Sequence, residues 1–294
     1  MMDASIASKT HTLAEALPWI RRHHGATVVV KIGGEALEDP KQAASVAEDL
    51  ALLALVGMRL VVVHGGGPQV SKAMDLAGLE PSFVGGLRVT TSESINIVKS
   101  VLIGTINFEL VGLLRNAGLA PVGLSGADGG LLRAEVSSGP AGEDIGMVGR
   151  VTDVNAALLD SLLEDGYTPV IASIAPDAEG SPLNVNADAA AGAIAASMKA
   201  SKLVYLTNIE GLYGDLGEAG SLISELEDNA LRALLPNLSS GMRPKAASIL
   251  AALDAGVAKA HILDGRVEHA LLLEVFTDEG IGTQVLSSQE AVWT

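Results

Sequence analysis

The chain has 294 residues, of which 48% are hydrophobic and 18% are charged. This composition supports a sizeable core and excludes a disordered chain or a small disulfide-stapled scaffold. The formal net charge of -16 disfavours nucleic acid as a partner, and the absence of cysteine excludes disulfides, thiolate metal sites and cysteine nucleophiles.

The N-terminal segment MMDASIASKTHTLAEALPWIRRHH lacks the apolar run and small-residue cleavage site of a signal peptide. No later stretch approaches the ~18 uninterrupted apolar residues of a membrane span. We therefore expect a cytoplasmic protein with no membrane partner. The histidines are scattered without HExxH spacing, so no metal site formed by the protein is expected.

The first part of the chain alternates between strand and helix patterns. In order, we predict a strand at 27–32, a helix at 40–56, a strand at 60–64, a helix from Pro68 to near Gly78, and a helix from Thr91 or Ser92 to Gly118. Pro68 suits the first helical position because its φ is fixed and it lacks an N–H. The third helix should carry Glu93 in its first turn and one apolar face.

The rest of the chain continues this alternation. Strands are predicted at 121–124, 147–154, 168–174, 203–207 and 261–263, with helices at 156–164, 188–199 and 245–255. Residues 126–146 predict an excursion or hairpin, and 175–182 a turn-rich connection. Almost continuously apolar strands between helices predict an α/β fold with a mostly parallel sheet covered on both faces. A lobe boundary is possible near 176–182, although one sheet could run through both halves.

Glycine-bearing loops follow three of the predicted strands, with the sequences IGGEA, HGGGP and TNIEGLYG. Ligand sites of such sheets lie at the carboxyl ends of the strands. The HGGGP loop enters a helix, so its backbone N–H groups suit an anion, although a tight turn is the alternative. The GxxxxGK[ST] and GxGxxG motifs are both absent, which excludes a P-loop and a standard dinucleotide site.

Four charged residues stand where their charge needs an explanation. Lys31 lies inside an apolar strand and either has a negative partner or extends to solvent. Lys245 follows Pro244 in a predicted first helical turn, where the helix dipole disfavours a cation unless an anion binds. Asp188 either caps its helix or holds lysines in place. Arg88 either clasps a carboxylate or is solvated.

Several segments, in this order, together resemble the amino-acid kinase family: VVVKIGGEAL, VVVHGGGPQV, GLRVTT, GLSGADG, NVNADAAAGAIA, KLVYLTNIEGLY, GMRPKAA and HILDGRVEHALLLEVFTDEGIGT. The resemblance spans nearly the whole chain and implies an open αβα sandwich. It also implies ATP-dependent phosphorylation of the γ-carboxylate of N-acetyl-L-glutamate in arginine biosynthesis, with ATP and Mg²⁺ as cofactors.

The resemblance also implies roles for particular residues. Lys31 and Lys245 would be catalytic and stabilise charge on the transferring phosphoryl group, with Asp188 organising them. Backbone N–H groups would come from Gly33, Gly34, Gly66 and Gly67. The acceptor would contact Gly66, Gly67, Arg88 and Asn184, and the nucleotide would contact Gly33, Gly34, Asn208, Gly211 and Tyr213 and lie near residues 237–239.

Two further stretches resemble the arginine-inhibited members of this family. L-Arginine would be a feedback inhibitor bound by Lys202, His261, Glu274 and Gly280. Residues 1–26 would form an oligomerisation helix in a homo-oligomer, a hexamer built as a trimer of dimers, although packing on its own subunit is the alternative. Residues 27–180 would form the acceptor-binding and dimerising lobe, and residues 181–294 the nucleotide- and arginine-binding lobe.

The chain departs from the family pattern in its Thr207-Asn208 pair, where the family usually has Thr-Asp. The neutral amide either weakens nucleotide handling or only exchanges one hydrogen-bond acceptor for another. Arg150 and Arg243 are also unusual. The alternatives are a kinase for a carrier-linked amino-acid carboxylate and a catalytically impaired arginine-binding paralogue. A dinucleotide oxidoreductase ranks last, because its glycine motif is missing.

Overall fold

The computed structural model describes residues 4–214, 219–239, 241–277 and 280–288. Parts of the predicted N-terminal helix (1–3) and of the predicted second lobe (215–218, 240, 278–279 and 289–294) lie outside the described residues. The strands are β1 Thr27–Ile32, β2 Arg59–His64, β3 Phe83–Val84, β4 Leu87–Arg88, β5 Pro121–Leu124, β6 Leu132–Val136, β7 Val148–Val154, β8 Thr168–Ala172, β9 Ile174–Pro176, β10 Pro182–Val185, β11 Lys202–Thr207, β12 Leu212–Tyr213, β13 Leu222–Ile223, β14 Glu225–Glu227, β15 Lys259–Asp264 and β16 Thr283–Leu286.

The helices connect these strands and cover the sheet. They are α1 Ala4–His23, α2 Pro40–Leu55, α3 Gly67–Leu76, α4 Ile95–Lys99, α5 Phe108–Asn116, α6 Ala156–Glu164, α7 Ala187–Ser197, α8 Asp228–Leu234, α9 Met242–Asp254 and α10 Ala270–Phe276. A π-helical segment, Ser100–Asn107, joins α4 to α5 in one continuous helix.

Within the described residues, eight strands form the central sheet in the order β14-β16-β15-β11-β1-β2-β8-β5. All neighbouring pairs are parallel except β15 and β16. The sheet is continuous across the predicted lobe boundary, because β1 pairs with β11. A smaller sheet, β6-β7-β10-β9, lies beside it. The predicted α/β sandwich with a mostly parallel sheet is confirmed.

The alternation of side chains along the strands builds a core on each face of the sheet. Val29 packs in one cluster with residues of α7 and α9. Val28 and Val30 pack in the other, with residues of α2, α5 and α10. Both faces are therefore buried, as the continuous apolar runs predict.

Some predicted bounds were wrong. The helix expected from Thr91 or Ser92 begins at Ile95, so Glu93 precedes it. The strand predicted at 168–174 is broken at Ser173. By contrast, the hairpin that was one alternative for residues 126–146 is confirmed, because β6 pairs antiparallel with β7. The helix predicted from Lys245 begins at Met242, so Lys245 is its fourth residue.

Residues 95–116 pack an apolar face against the sheet. Leu102, Ile106, Leu110 and Leu114 are buried and follow one another at intervals of four residues. Among the described residues, this helix alone would be long and apolar enough to cross a membrane, a test that core helices also pass.

Candidate active site

Two lysines meet one aspartate at the carboxyl edge of the central sheet. Lys31 Nζ lies 3.0 Å from Asp188 Oδ1, and Lys245 Nζ lies 2.9 Å from Asp188 Oδ2. The side chains of Lys31, Asp188 and Lys245 are only 13%, 11% and 7% exposed. Of the two alternatives for each residue, the structure therefore has the lysines paired and the aspartate holding both.

Three different elements bring these residues together. Lys31 lies near the end of β1, and Asp188 is in the first turn of α7. The side chain of Asn186 caps α7 by accepting hydrogen bonds from the Asp188 and Ala189 amides at 2.9 and 3.1 Å. The cap therefore frees the Asp188 carboxylate to face the lysines. Lys245 reaches it from α9, which packs against α7.

The charges of the group are strongly coupled. Burial alone would raise the pKa of the Asp188 carboxyl, but the ammonium groups of Lys31 and Lys245 overcome burial and hold that pKa well below its usual range. Burial lowers the pKa of Lys245 to about 8, although Asp188 opposes this shift. At neutral pH Asp188 is therefore a carboxylate and Lys245 is mainly protonated.

The glycine loops approach the same edge of the sheet. The Gly33 amide donates a hydrogen bond to the Leu206 carbonyl at 3.1 Å, so this N–H is already used within the chain, contrary to the expectation that it faces a ligand. A Cβ on Gly34 would lie 2.8 Å from Gln69 Oε1, and one on Gly66 would collide with Ile106 Cδ1. The close approach of these loops therefore needs glycine.

A cavity of about 300 Å³ adjoins the lysines and is lined by Lys31, Gly34, Gly66, Gly67, Arg88, Asn184 and Asp188, among others. The structure thus brings all four predicted acceptor contacts, Gly66, Gly67, Arg88 and Asn184, to one space beside Asp188. Asn184 Nδ2 donates to Thr90 Oγ1 at 3.0 Å. The cavity is small and polar on one side, as a small anionic ligand requires.

Arg88 is the main cationic group of this cavity besides the lysines. Its guanidinium donates to the Gly67 carbonyl at 2.8 Å and to Ser71 Oγ at 2.7 Å, and it lies 4.7 Å from the ring centroid of Phe83. Arg88 is 8% exposed and has no carboxylate ion-pair partner among the described residues. Such a buried cation favours an anionic ligand. Phe83 also lines this cavity, although no motif in the sequence singled it out.

The predicted nucleotide residues are less closely grouped. Asn208 is exposed and lines a second cavity of about 530 Å³ that shares Glu35 with the acceptor cavity. Gly211 is buried beside Thr283, and Tyr213 donates its hydroxyl hydrogen bond to Glu210. Neither Gly211 nor Tyr213 lines these two cavities.

The predicted effector residues meet in a third cavity, of about 420 Å³, away from the lysines. Lys202, Glu274 and Gly280 line it. His261 lies behind Glu274, fully buried, with Nδ1 2.6 Å from Glu274 Oε1. His261 does not line the cavity, contrary to the prediction that it binds the effector directly, and burial lowers the pKa of its imidazole. The helix α1 also supplies lining residues that were not predicted, among them Trp19, Arg22 and His23.

Comparison with known proteins adds to this geometry. Residues 26–264 match the model of the amino acid kinase family. An acetylglutamate kinase of Acidothermus cellulolyticus is 48% identical over 289 residues, 96% of this chain and 98% of that protein.

Two solved structures of an N-acetylglutamate synthase from Neisseria gonorrhoeae are also similar. One, in complex with coenzyme A and N-acetyl-glutamate, has a TM-score of 0.85 and 29% identity and matches 94% of this chain and 63% of the synthase. The other, in complex with coenzyme A and L-arginine, has a TM-score of 0.81 and 27% identity and matches 94% of this chain and 65% of that one. The chain therefore spans less than two thirds of the synthase.

Proposed function

The chain belongs to the amino acid kinase family, and we propose that it transfers the terminal phosphoryl group of ATP to the γ-carboxylate of N-acetyl-L-glutamate. The products are ADP and N-acetylglutamyl 5-phosphate, an intermediate of arginine biosynthesis. The observation that carries the proposal is the Lys31–Asp188–Lys245 group at one wall of a small cavity that is also lined by the buried cation Arg88.

The chemistry needs no general base. A γ-carboxylate with a pKa near ~4.3 is ionised at neutral pH, so an oxygen of the carboxylate attacks the γ-phosphorus directly while the bond to the β-phosphate oxygen breaks. Catalysis then consists of positioning and charge stabilisation. Lys31 and Lys245 supply two ammonium groups for the transferring phosphoryl group, and Asp188 fixes the direction from which each approaches.

The acceptor is proposed to bind through its carboxylates and amide. Arg88 would pair with the α-carboxylate, because its guanidinium is buried, is fixed by the Gly67 carbonyl and, although Asp75 attracts it, has no carboxylate within ion-pair distance in the described part of the chain. Asn184 would accept or donate a hydrogen bond at the N-acetyl group. The Gly66 and Gly67 backbone brings the acceptor close to the lysines.

ATP is the proposed phosphoryl donor, lying along the carboxyl edge of β11 and the loop that contains Asn208, Gly211 and Tyr213. No group of three or more acidic or histidine side chains able to hold a metal is found in the described part of the chain. These residues therefore do not fit a protein-built Mg²⁺ cage. Mg²⁺ commonly binds with substrate phosphates as its main ligands, and it would arrive here with ATP.

We further propose that the cavity beside α1 binds L-arginine as a feedback inhibitor. Glu274 offers a carboxylate for a guanidinium, and Lys202 offers an ammonium for the amino-acid carboxylate, so the cavity matches a zwitterion with a cationic side chain. Residues 27–180 would bind the acceptor and dimerise, and residues 181–294 would bind nucleotide and arginine. The proposed assembly is a cytoplasmic hexamer linked through α1.

The two alternatives have less support. The relative that matches 96% of the chain carries the name acetylglutamate kinase, which favours a free acetylated amino acid over a carrier-linked acceptor. The intact ion-pair group favours an active enzyme over an impaired paralogue, because the replacement of Asp by Asn at position 208 leaves all three charged side chains in contact.

The direct test is to incubate the protein with MgATP, N-acetyl-L-glutamate and hydroxylamine and to measure the trapped hydroxamate. Hydroxamate that depends on both ATP and acceptor is expected, and L-arginine should suppress it. Lys31→Ala should abolish the signal, whereas Lys72→Ala, on the exposed face of α3, serves as the matched control. If the protein binds arginine but forms no hydroxamate, the kinase proposal is wrong.

Arg88→Ala tests the acceptor site separately. Loss of the guanidinium should raise the KM for N-acetyl-L-glutamate by about 10- to 100-fold, as expected for a charge-assisted contact. The KM for ATP should stay the same. If only the KM for ATP changes, Arg88 contacts ATP and not the acceptor, and this part of the proposal is wrong.

A further inference from the structure

The ion-pair group contains two cationic side chains, Lys31 and Lys245, but only one acidic side chain, Asp188. Asp188 uses Oδ1 for Lys31 and Oδ2 for Lys245. Glu35, in the turn after β1, also attracts Lys245, but its effect is weaker than those of Asp188 and Lys31. Two buried ammonium groups thus share one close carboxylate, and the second cation needs another electron-rich neighbour.

The ring of Tyr205 provides that neighbour. In the parallel register of β1 and β11, Tyr205 is the partner of Lys31, so the two side chains lie next to each other on one face of the sheet. Lys245 Nζ lies 4.8 Å from the centroid of the Tyr205 ring, within the range of a cation–π contact. Tyr205 is fully buried, so water does not weaken this contact.

The hydroxyl of Tyr205 is also connected to Asp188, through the side chain of Ser248. Ser248, on α9, donates from Oγ to the Asp188 carbonyl at 2.6 Å, and the Tyr205 hydroxyl lies 2.7 Å from the same Oγ. The Tyr205 hydroxyl also donates to the Asp188 carbonyl directly, at 3.3 Å. Gly192 allows this packing of α7 on α9, since a Cβ there would lie 2.5 Å from Ser248 Oγ.

We propose that Tyr205 is a positioning residue of the phosphoryl-transfer site. Its ring stabilises the ammonium form of Lys245, and its hydroxyl holds the first turn of α7 through Ser248. The kinetic consequence rests on the proposed kinase function, whereas the effect on Lys245 belongs to the free protein.

Titration of Lys245 separates the ring from the hydroxyl. The groups that face Lys245 are Asp188 on α7, Lys31 on β1, Glu35 in the following turn and Tyr205 on β11. Burial and Asp188 raise the pKa of the Tyr205 hydroxyl well above its usual value, so Tyr205 stays neutral while Lys245 titrates. Any midpoint near pH 8 therefore reports the lysine.

The experiment is an NMR titration of the full chain labelled with ¹³Cε-lysine, without ligands, in which the Lys245 signal is identified by its loss in Lys245→Met. Tyr205→Phe keeps the ring and should leave the midpoint of Lys245 unchanged. Tyr205→Leu removes the ring and should lower the midpoint by about 1.5 pH units, the equivalent of one buried cation–π contact. Equal midpoints in the three proteins would overturn the proposal.

A second variant and a kinetic measurement provide additional tests of the proposal. Tyr205→Met replaces Tyr205→Leu if the leucine variant does not fold, and circular dichroism at each pH confirms that the titrated protein is folded. In the pH profile of kcat/KM for ATP, the decline at alkaline pH should begin at a lower pH in Tyr205→Leu than in the wild type. Ser248→Ala should lower kcat without moving this decline. A wild-type protein without kinase activity would refute the proposed function, while the NMR midpoints would still decide the role of Tyr205.

Discussion

Replacement of Asp188 by Asn isolates the charge that holds the two lysines. The side chain keeps its volume, and the Asn186 cap of α7 remains. Two ion pairs, at 3.0 and 2.9 Å, are lost. At an effective dielectric constant of about 20, each such contact is worth about 5 kcal/mol before desolvation.

The expected net loss of stability is smaller than the sum of the two ion-pair energies. Removing one partner of a buried ion pair typically costs about 3–5 kcal/mol. Lys245 has a pKa already lowered to about 8, so it can lose its proton at modest cost when Asp188 is gone. We therefore expect the free energy of unfolding at pH 7 to fall by about 3 kcal/mol, measured by urea denaturation without ligands. The kcat should fall by about 100-fold or more, because neither ammonium is held in place.

The pH dependence gives a second check. The folded-state pKa of Asp188 lies below its unfolded value of about 3.9. Its stabilising contribution is therefore complete above that value and is lost as the pH falls below it. The difference in unfolding free energy between wild type and Asp188→Asn should shrink on acidification below about pH 4.

Asp160→Asn is the matched control. Asp160 also pairs with a cation, Arg59 at 2.9 Å, but its side chain is 47% exposed. An exposed pair contributes about 0–1 kcal/mol, and kcat should not change. If Asp188→Asn loses less than about 1 kcal/mol and keeps its kcat, the charge argument for the site is refuted.

Three further substitutions test other parts of the structure. Gly66→Ala should lower the unfolding free energy by about 1–3 kcal/mol and reduce acceptor binding, because its Cβ collides with Ile106; unchanged thermal unfolding would contradict the packing described. Glu274→Gln should raise the arginine concentration for half inhibition by about 10-fold or more while kcat stays the same, and calorimetry should show weaker arginine binding; normal inhibition would mean that arginine binds elsewhere. Asn208→Asp should lower the KM for ATP if the amide weakens nucleotide handling. An unchanged KM would mean that the amide only exchanges one hydrogen-bond acceptor for another.

The pattern of apolar runs determined most of the architecture. The bounds of β1, β5 and α6 agree with the sequence prediction residue for residue, because these segments are continuous apolar or periodic runs between clear turn residues. The start of the long helix was predicted too early, because residues 92–94 form a turn and the helix begins only at Ile95. The sequence pattern also did not distinguish the π-helical segment Ser100–Asn107 from an α-helix, since apolar residues continue through it at similar spacing.

The charged residues of the candidate site were likewise predicted only in part. Lys31 was identifiable from the sequence as an ammonium in an apolar strand, and an unpaired charge there is costly. The sequence left open whether Asp188 caps its helix or holds lysines. Tertiary structure decided this, because Asn186 takes the capping bonds and leaves the carboxylate free.

The sequence by itself therefore determined a mostly parallel sheet, its covering helices and the residue types of the proposed phosphoryl-transfer site. Only the tertiary structure decided that Tyr205 lies under Lys245, since the register of β1 and β11 and the packing of α7 on α9 set that contact. It also placed His261 behind Glu274 rather than in the cavity. Periodicity reports which face of an element is buried, whereas the partner of a buried polar group depends on segments far apart in the chain.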